Sequence, residues 1–361
     1  MISFNRPCRP TYFSPGAISS SGVTEAIWDY WTYFEPIRFY ANPTCVSHTQ
    51  KITHMIDNIL IGLNDSATTA QLKGIFGLPN VTYDNDFAQA VAGGIDSWQG
   101  KNWDPAINDP DFDIYCSNIT SSDVIYPYTE SLKATARHLL NKGGYSSEVD
   151  ALTTPMLNWI GWLAQYSVNS CNGDQDGCFG THNTTYYAQD DISQDWRSWP
   201  YQYCTQWGYL QTGSGVPVGQ LPLISRTNNL AYGSSICEYA FNITTPANVT
   251  AINKYGGFGI SYPRLAIIDG EWDPWRPATP HASPFNTTAV NRTSTTREPF
   301  ILIPEAVHHW DENGLFVNES LNYPSKLLPP QTIRNTQTAE VAFVLDWMTE
   351  WNLLHAGREL K

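Results

Sequence analysis

The stretch Leu265-Ala-Ile-Ile-Asp-Gly-Glu-Trp-Asp-Pro-Trp275 and its counterpart Phe300-Ile-Leu-Ile-Pro-Glu-Ala-Val-His-His-Trp-Asp311 decide the reading of this chain. Each opens on four apolar residues with a proline just outside the run (Pro263, Pro299, Pro304), then turns polar. Runs this short fit strands buried on both faces better than helices. In an open parallel sheet the reactive groups stand just beyond the carboxyl ends of the strands. Asp273 stands there after the first run, and His308 and His309 after the second.

Outward from these runs, Thr338 to Leu354 closes the chain with Val341, Val344, Leu345, Met348 and Trp351 at helical spacing, a stripe suited to covering one face of a sheet. Strand, loop, strand, loop, helix is an α/β ending. Upstream, from about Trp28 to Tyr166, the period is helical. In Gln50 to Leu63, Ile52, Met55, Ile56, Ile59, Leu60 and Leu63 share one helix face. Further helices are expected at Thr68 to Phe76, Asp86 to Trp98, Pro127 to Leu140 and Asp150 to Ser167, divided by Gly, Asn and Pro. Trp159, Trp162, Trp196, Trp199 and Trp207 gather at the end of this half, where core packing is their ordinary use.

Composition bounds the function. In 361 residues, 42% are hydrophobic and 15% charged, which excludes a disordered chain, and no run approaches the 18 apolar residues of a membrane span. Twenty Lys and Arg against 34 Asp and Glu give a net charge of -14, which repels nucleic-acid phosphates. Nucleic acid is therefore not an expected partner. The acidic balance suits an acidic compartment. Seven cysteines include no CxxC pair, and Cys171 with Cys178 and Cys204 with Cys237 are the expected disulfides. Asn64, Asn80, Asn118, Asn183, Asn242, Asn248, Asn286, Asn291 and Asn318 begin Asn-x-Ser/Thr sequons, so N-glycans and a secreted or vacuolar/lysosomal location are expected. Met1 to Ser21 nevertheless has no apolar core of a signal peptide.

Asp273 and His308 are 35 residues apart, in the order of the last two members of a Ser, Asp, His triad on an α/β-hydrolase sheet. A hydroxyl is a poor nucleophile until a neutral imidazole accepts its proton, and the imidazole needs a carboxylate to fix its tautomer and stabilise the cation. His308, His309 and Asp311 lack a recognised metal-ligand spacing. Cys171-Asn-Gly-Asp-Gln-Asp-Gly-Cys178 lacks the closing Glu of a calcium loop. No metal or organic cofactor is expected, since acylation and deacylation need none.

At these residues the chain resembles the serine peptidase family of lysosomal Pro-X carboxypeptidase, dipeptidyl peptidase II and the fungal acid prolyl endopeptidases. That family carries Asn-Gly-x-x-Asp-Pro-Trp around its catalytic Asp and Gly-x-His at its catalytic His. The counterparts here are Asp269-Gly-Glu-Trp-Asp273-Pro-Trp275 and Ala306-Val-His308. Further likeness lies in Trp199-Pro-Tyr-Gln-Tyr-Cys-Thr-Gln206-Trp-Gly-Tyr209 and in Ala26-Ile-Trp-Asp-Tyr-Trp-Thr-Tyr-Phe34-Glu-Pro-Ile37. The resemblance implies catalytic roles for Asp273 and His308, a proline-ring pocket lined by Trp275, and substrate binding at Gln206. Ala306 replaces the family's Gly, and Gln206 replaces its Glu, putting an amide where the family has a carboxylate.

The nucleophile of that family lies in a Gly-Gly-Ser-Tyr-x-Gly elbow, and no Gly-x-Ser-x-Gly occurs in this sequence. Ser19, Ser20 and Ser21, in Gly16-Ala-Ile-Ser-Ser-Ser-Gly22, correspond to the segment after the elbow and are poor substitutes, as are Ser214 and Ser234. The expectation is an N-terminally truncated member of an α/β class: the C-terminal part of an α/β-hydrolase fold with a large helical lid. Residues 1–27 would be the remnant after the elbow, 28–254 the lid, and 255–361 the rest of the hydrolase domain. The expected function is a serine-type peptidase cleaving peptides after proline or a similarly small residue. The alternative is a non-catalytic secreted glycoprotein of the same fold.

Overall fold

The computed structural model describes residues 15–315 and 327–355, so Cys8 and the Asn318 sequon lie outside the described residues. Both apolar runs are strands of one parallel sheet. β1 (Ala17–Ser20), β4 (Leu265–Gly270) and β5 (Phe300–Ile303) pair in the order β1-β4-β5, with Ala17 opposite Leu265 and Ile267 opposite Phe300. β2 (Ile27–Asp29) and β3 (Gly208–Leu210) form a second, two-stranded parallel sheet. The described residues are thus mixed α/β, mostly helical, with small parallel sheets.

Among the described residues the chain divides into two compact units. One comprises Met1–Ala26, Gln99–Asp109 and Ile252–Lys361, the other Ile27–Trp98 and Pro110–Ala251. The first holds the three-stranded sheet. Ala266 and Ile268, alternate residues of β4, share a core with Ile303, Ile333, Phe343, Trp347 and Trp103. Strand alternation puts Asp269 on the opposite face. The closing helix Gln331–His355 supplies Ile333, Phe343 and Trp347. The segment Gln99–Asp109, read from sequence as part of the helical stretch, belongs to this unit. Its buried Trp103 donates from Nε1 to Trp310 O (2.9 Å), and the half-buried Trp310 donates back from Nε1 to Lys101 O (2.8 Å), so each indole finds its acceptor.

The second unit is mostly helical and carries the two-stranded sheet. Asn42 caps the helix Pro43–Asp57 by accepting from Thr44 N and Cys45 N, with Pro43 in the first turn where its missing N–H costs nothing. Ile52, Met55, Ile56 and Ile59 are buried, as their spacing on one face requires. Phe76, Phe87, Tyr115, Trp159 and Trp162 meet edge to face, with ring centroids 5.3 to 6.4 Å apart. Disulfides join Cys45 to Cys116, Cys171 to Cys178 and Cys204 to Cys237. The first of these was not anticipated, because a sequence separation of 71 carries no local signal.

Candidate active site

β4 ends at Gly270, and the chain passes in a turn to Asp273, which is fully buried. β5 ends at Ile303, and five residues later stands His308. Because the two strands are parallel neighbours, both side chains emerge at the same end of the sheet. His308 Nδ1 lies 2.9 Å from Asp273 Oδ2, and Asp273 Oδ1 accepts the Trp275 N–H at 2.8 Å. Gly270 makes the approach possible: a Cβ there would stand 2.2 Å from Val307 O and 2.5 Å from Ala306 O.

Burial by itself would raise the Asp273 carboxyl. The His308 charge and hydrogen bonds from His308, Trp275 N–H and the Ser21 hydroxyl outweigh it and hold the carboxyl below its ordinary range. Burial likewise works against a charged His308. The carboxylates of Asp273, Asp269 and Glu312, with the Asp273 hydrogen bond, lift it above the ordinary imidazole value. An ionised Asp273 has no proton to donate, so the imidazole proton sits on Nδ1. Nε2 is left as a lone pair able to accept a proton from a hydroxyl.

A second cluster adjoins the pair. The His309 ring lies 3.9 Å from that of His308, and its backbone, in the left-handed region at φ 56°, donates to Ser21 Oγ at 3.1 Å. Ser20 Oγ donates to Asp311 Oδ1 at 2.8 Å and stands 3.1 Å from His309 Nδ1. Burial lowers the His309 imidazole and pushes the Asp311 carboxyl up to about 6. The Ser20 hydroxyl proton thus goes directly to a carboxylate rather than to an imidazole, which is not how a base activates a serine. Ser19 is buried, with no hydrogen-bond partner for its hydroxyl among the described residues. Ser21 has a linking place, from His309 N–H to the Asp273 carboxylate, that the sequence did not disclose.

Trp275 is half-buried and donates from Nε1 to Gln99 Oε1 at 2.8 Å. Gln206 belongs to the other unit, exposed on the short helical segment Tyr203–Trp207. That unit also holds an open cavity of about 550 Å³ lined by Trp28, His182, Tyr232, Tyr239 and Glu238 among others. Among the described residues no group of three or more His, Cys, Asp and Glu side chains could hold a metal ion.

Comparison with known proteins decides the lineage. The family described as serine carboxypeptidase S28 matches residues 146–322, which include both Asp273 and His308. A protein of Arthroderma benhamiae named "Probable extracellular serine carboxypeptidase" is 48% identical over 350 residues, 96% of this chain and 48% of that protein. The chain belongs to the serine carboxypeptidase S28 family. Two more distant relatives carry serine protease names. "Serine protease vicPb" of Bipolaris victoriae is 24% identical over 357 residues, covering 92% of this chain and 61% of its own length. The mouse "Thymus-specific serine protease" is 28% identical over 121 residues, 32% of this chain and 21% of that protein. The S28 chain described here therefore spans about half the length of its A. benhamiae relative. Among the described residues no helix is long and apolar enough to cross a membrane.

Proposed function

We propose that this chain carries the acid and base of a serine-type peptidase that cleaves peptides after proline or a similarly small residue. Asp273 would fix the Nδ1–H tautomer of His308. His308 Nε2 would take the proton of an attacking seryl hydroxyl and return it to the leaving amine. The observation that carries this reading is the 2.9 Å hydrogen bond between a buried carboxylate and an imidazole at the ends of two adjacent parallel strands. The relatives' names, serine carboxypeptidase and serine protease, support the same reaction class.

Specificity rests on Trp275, whose indole beside Asp273 offers a flat apolar wall to a compact ring such as proline. Gln206 is proposed as a second substrate contact, with an amide where the family has a carboxylate. The architecture that suits this reading is an α/β-hydrolase sheet with a helical lid. A secreted location accords with the word "extracellular" in the name of the A. benhamiae relative and with the sequons.

The reading needs a nucleophile elbow, which these 361 residues do not contain. A fluorophosphonate probe tests it. The chain alone should stay unlabelled, whereas a polypeptide extended upstream to include a Gly-Gly-Ser-Tyr-x-Gly segment should be labelled, and H308Q should abolish that labelling. Labelling of the present chain, or labelling of the extended form that survives H308Q, would overturn the assignment. An extended form with no reactive serine would leave the non-catalytic glycoprotein as the better account.

A further inference from the structure

A second carboxylate–imidazole pair lies one turn of chain away from the first. Asp269, the penultimate residue of β4, places Oδ2 2.6 Å from His281 Nδ1, and both side chains are buried, at 0% and 3% exposure. Their contact closes the loop that bears Asp273 and Trp275, so the chain leaves β4 and returns to it through one side-chain hydrogen bond. His281 also stacks on Phe300, the first residue of β5, with ring centroids 3.7 Å apart. Arg276 braces the loop from within, donating from Nε to His281 O (2.8 Å), from Nη1 to Glu271 O (2.9 Å) and from Nη2 to Ser283 O. Thr279 Oγ accepts the His281 N–H at 3.1 Å.

We propose that Asp269 and His281 are positioning residues for the acyl-transfer pair: a buried carboxylate–imidazole clasp that fixes the Asp273 loop and sets a second negative charge near His308. The inference rests on the roles proposed for Asp273 and His308. Two further observations favour it over ordinary packing. First, Asp269 Oδ1 and His281 Nε2 are buried without hydrogen-bond partners among the described residues, so the clasp holds two polar side chains out of water on the strength of one contact. Unpaired buried groups of this kind are costly and uncommon unless they serve a site. Second, the Asp269 charge is among the influences that make His308 more basic, after those of Asp273.

The proton arrangement follows from the surroundings. An imidazolium at position 281 would bury an Nε2–H with no acceptor, whereas a neutral ring donates its one N–H to Asp269 and leaves only a lone pair unmet. The charged groups around the clasp are Arg276, bonded to the His281 carbonyl, and Arg292, whose guanidinium lies 4.5 Å from the Phe300 ring centroid. Around His308 they are Asp273, Asp269 and Glu312, with the His309 ring alongside, tilted by 55°.

The test reads proton occupancy. Imidazole resonances of His308 and His281 are followed against pH by NMR in the folded full chain, in wild type, D269N and H281F. D269N keeps the hydrogen-bond acceptor and removes the charge, so His308 should titrate at lower pH than in wild type while the Asp273–His308 bond persists. H281F removes the clasp while filling the space against Phe300. It should broaden or shift the downfield Nδ1–H signal of His308, which D269N should leave in place. A His308 titration in D269N that superimposes on wild type overturns the electrostatic part. An unchanged Nδ1–H signal in folded H281F overturns the positioning part. Should H281F fail to fold, D269N still decides, because a purely structural hydrogen bond would survive that substitution with no change at His308. None of these readouts needs turnover, so a negative fluorophosphonate result would count against the peptidase reading and not against the clasp.

Discussion

At the scale of single residues, Asp273 governs both the tautomer and the basicity of His308, so its charge should matter more than its shape. D273N keeps the volume and an acceptor but offers an N–H toward the imidazole. On the proposed mechanism, an extended, elbow-bearing form should lose about 10⁴-fold in kcat through the wrong tautomer. The base works only when neutral, so activity should rise with pH through the His308 pKa of the folded protein. Since Asp273 holds that value up, the acid limb in D273N should move to lower pH, which a pH–rate profile checks. An unmoved acid limb would mean that His308 is not the titrating base. Asp273 and His308 were legible in the sequence because both follow short apolar runs ended by polar residues. Ser21 was not, since a hydroxyl that orients a carboxylate leaves no pattern. Asp269 and His281 escaped notice too, because a buried Asp–His contact across a loop has no fixed spacing.

At the scale of elements, β4 and the segment after β5 can touch only because position 270 has no side chain. G270A would push a methyl against the carbonyls of Ala306 and Val307, forcing the His308 segment or the Asp273 loop aside. Overpacking of this kind costs about 1–3 kcal/mol, and it should weaken the His308 Nδ1–H signal as well as lower the melting temperature. Gly259, around which a Cβ would meet nothing within 4 Å, provides the control: G259A should leave the His308 signal unchanged. β4 and β5 could be read from sequence because short apolar runs beside prolines have few other uses. β1 was hidden because Ala17-Ile-Ser-Ser20 has one large apolar residue, and even that Ile18 is exposed. The helix Pro43–Asp57 was read as starting near Gln50 because its first turns carry Thr, Cys, Ser and His rather than a regular apolar stripe. Its true start is written in the Asn42 cap and Pro43, a signal of two residues rather than of a period.

At the scale of the whole molecule, covalent ties and proton balance are unevenly distributed. Among the described residues the three disulfides lie in the mostly helical unit, and chain-entropy reasoning assigns about 4 kcal/mol to Cys45–Cys116 but only about 2 kcal/mol to Cys171–Cys178, whose loop is short. C45A/C116A should therefore lower the melting temperature more than C171A/C178A, measured by calorimetry. The proton balance makes a prediction of opposite character. Burial pushes the carboxyls of Asp57 and Asp311 up to about 6 and those of Asp96 and Glu340 up to about 7. Unfolded carboxyls titrate near 4, so between about pH 4 and 7 the folded chain holds more protons than the unfolded one, and stability must fall as pH rises. The stabilisation is complete below the unfolded carboxyl pKa and is lost as pH passes through the raised folded values. His308, also raised, acts in the same sense over its own higher window. His54 and His309, lowered by burial, act against it near neutrality, and Asp273, held low, contributes stability that is lost only in stronger acid. Over this window the raised carboxyls, joined by Glu25, are opposed chiefly by the two lowered histidines, because the lowered Asp65, Asp176 and Asp191, like Asp273, act only in stronger acid, and the net charge of -14 adds self-repulsion once the carboxyls ionise. The melting temperature should accordingly be higher near pH 4.5 than near pH 7.5, falling most between pH 6 and 7, in a calorimetric series at constant ionic strength. A melting temperature that climbs over that interval would mean that these carboxyls are ionised in the folded chain and paired with cations.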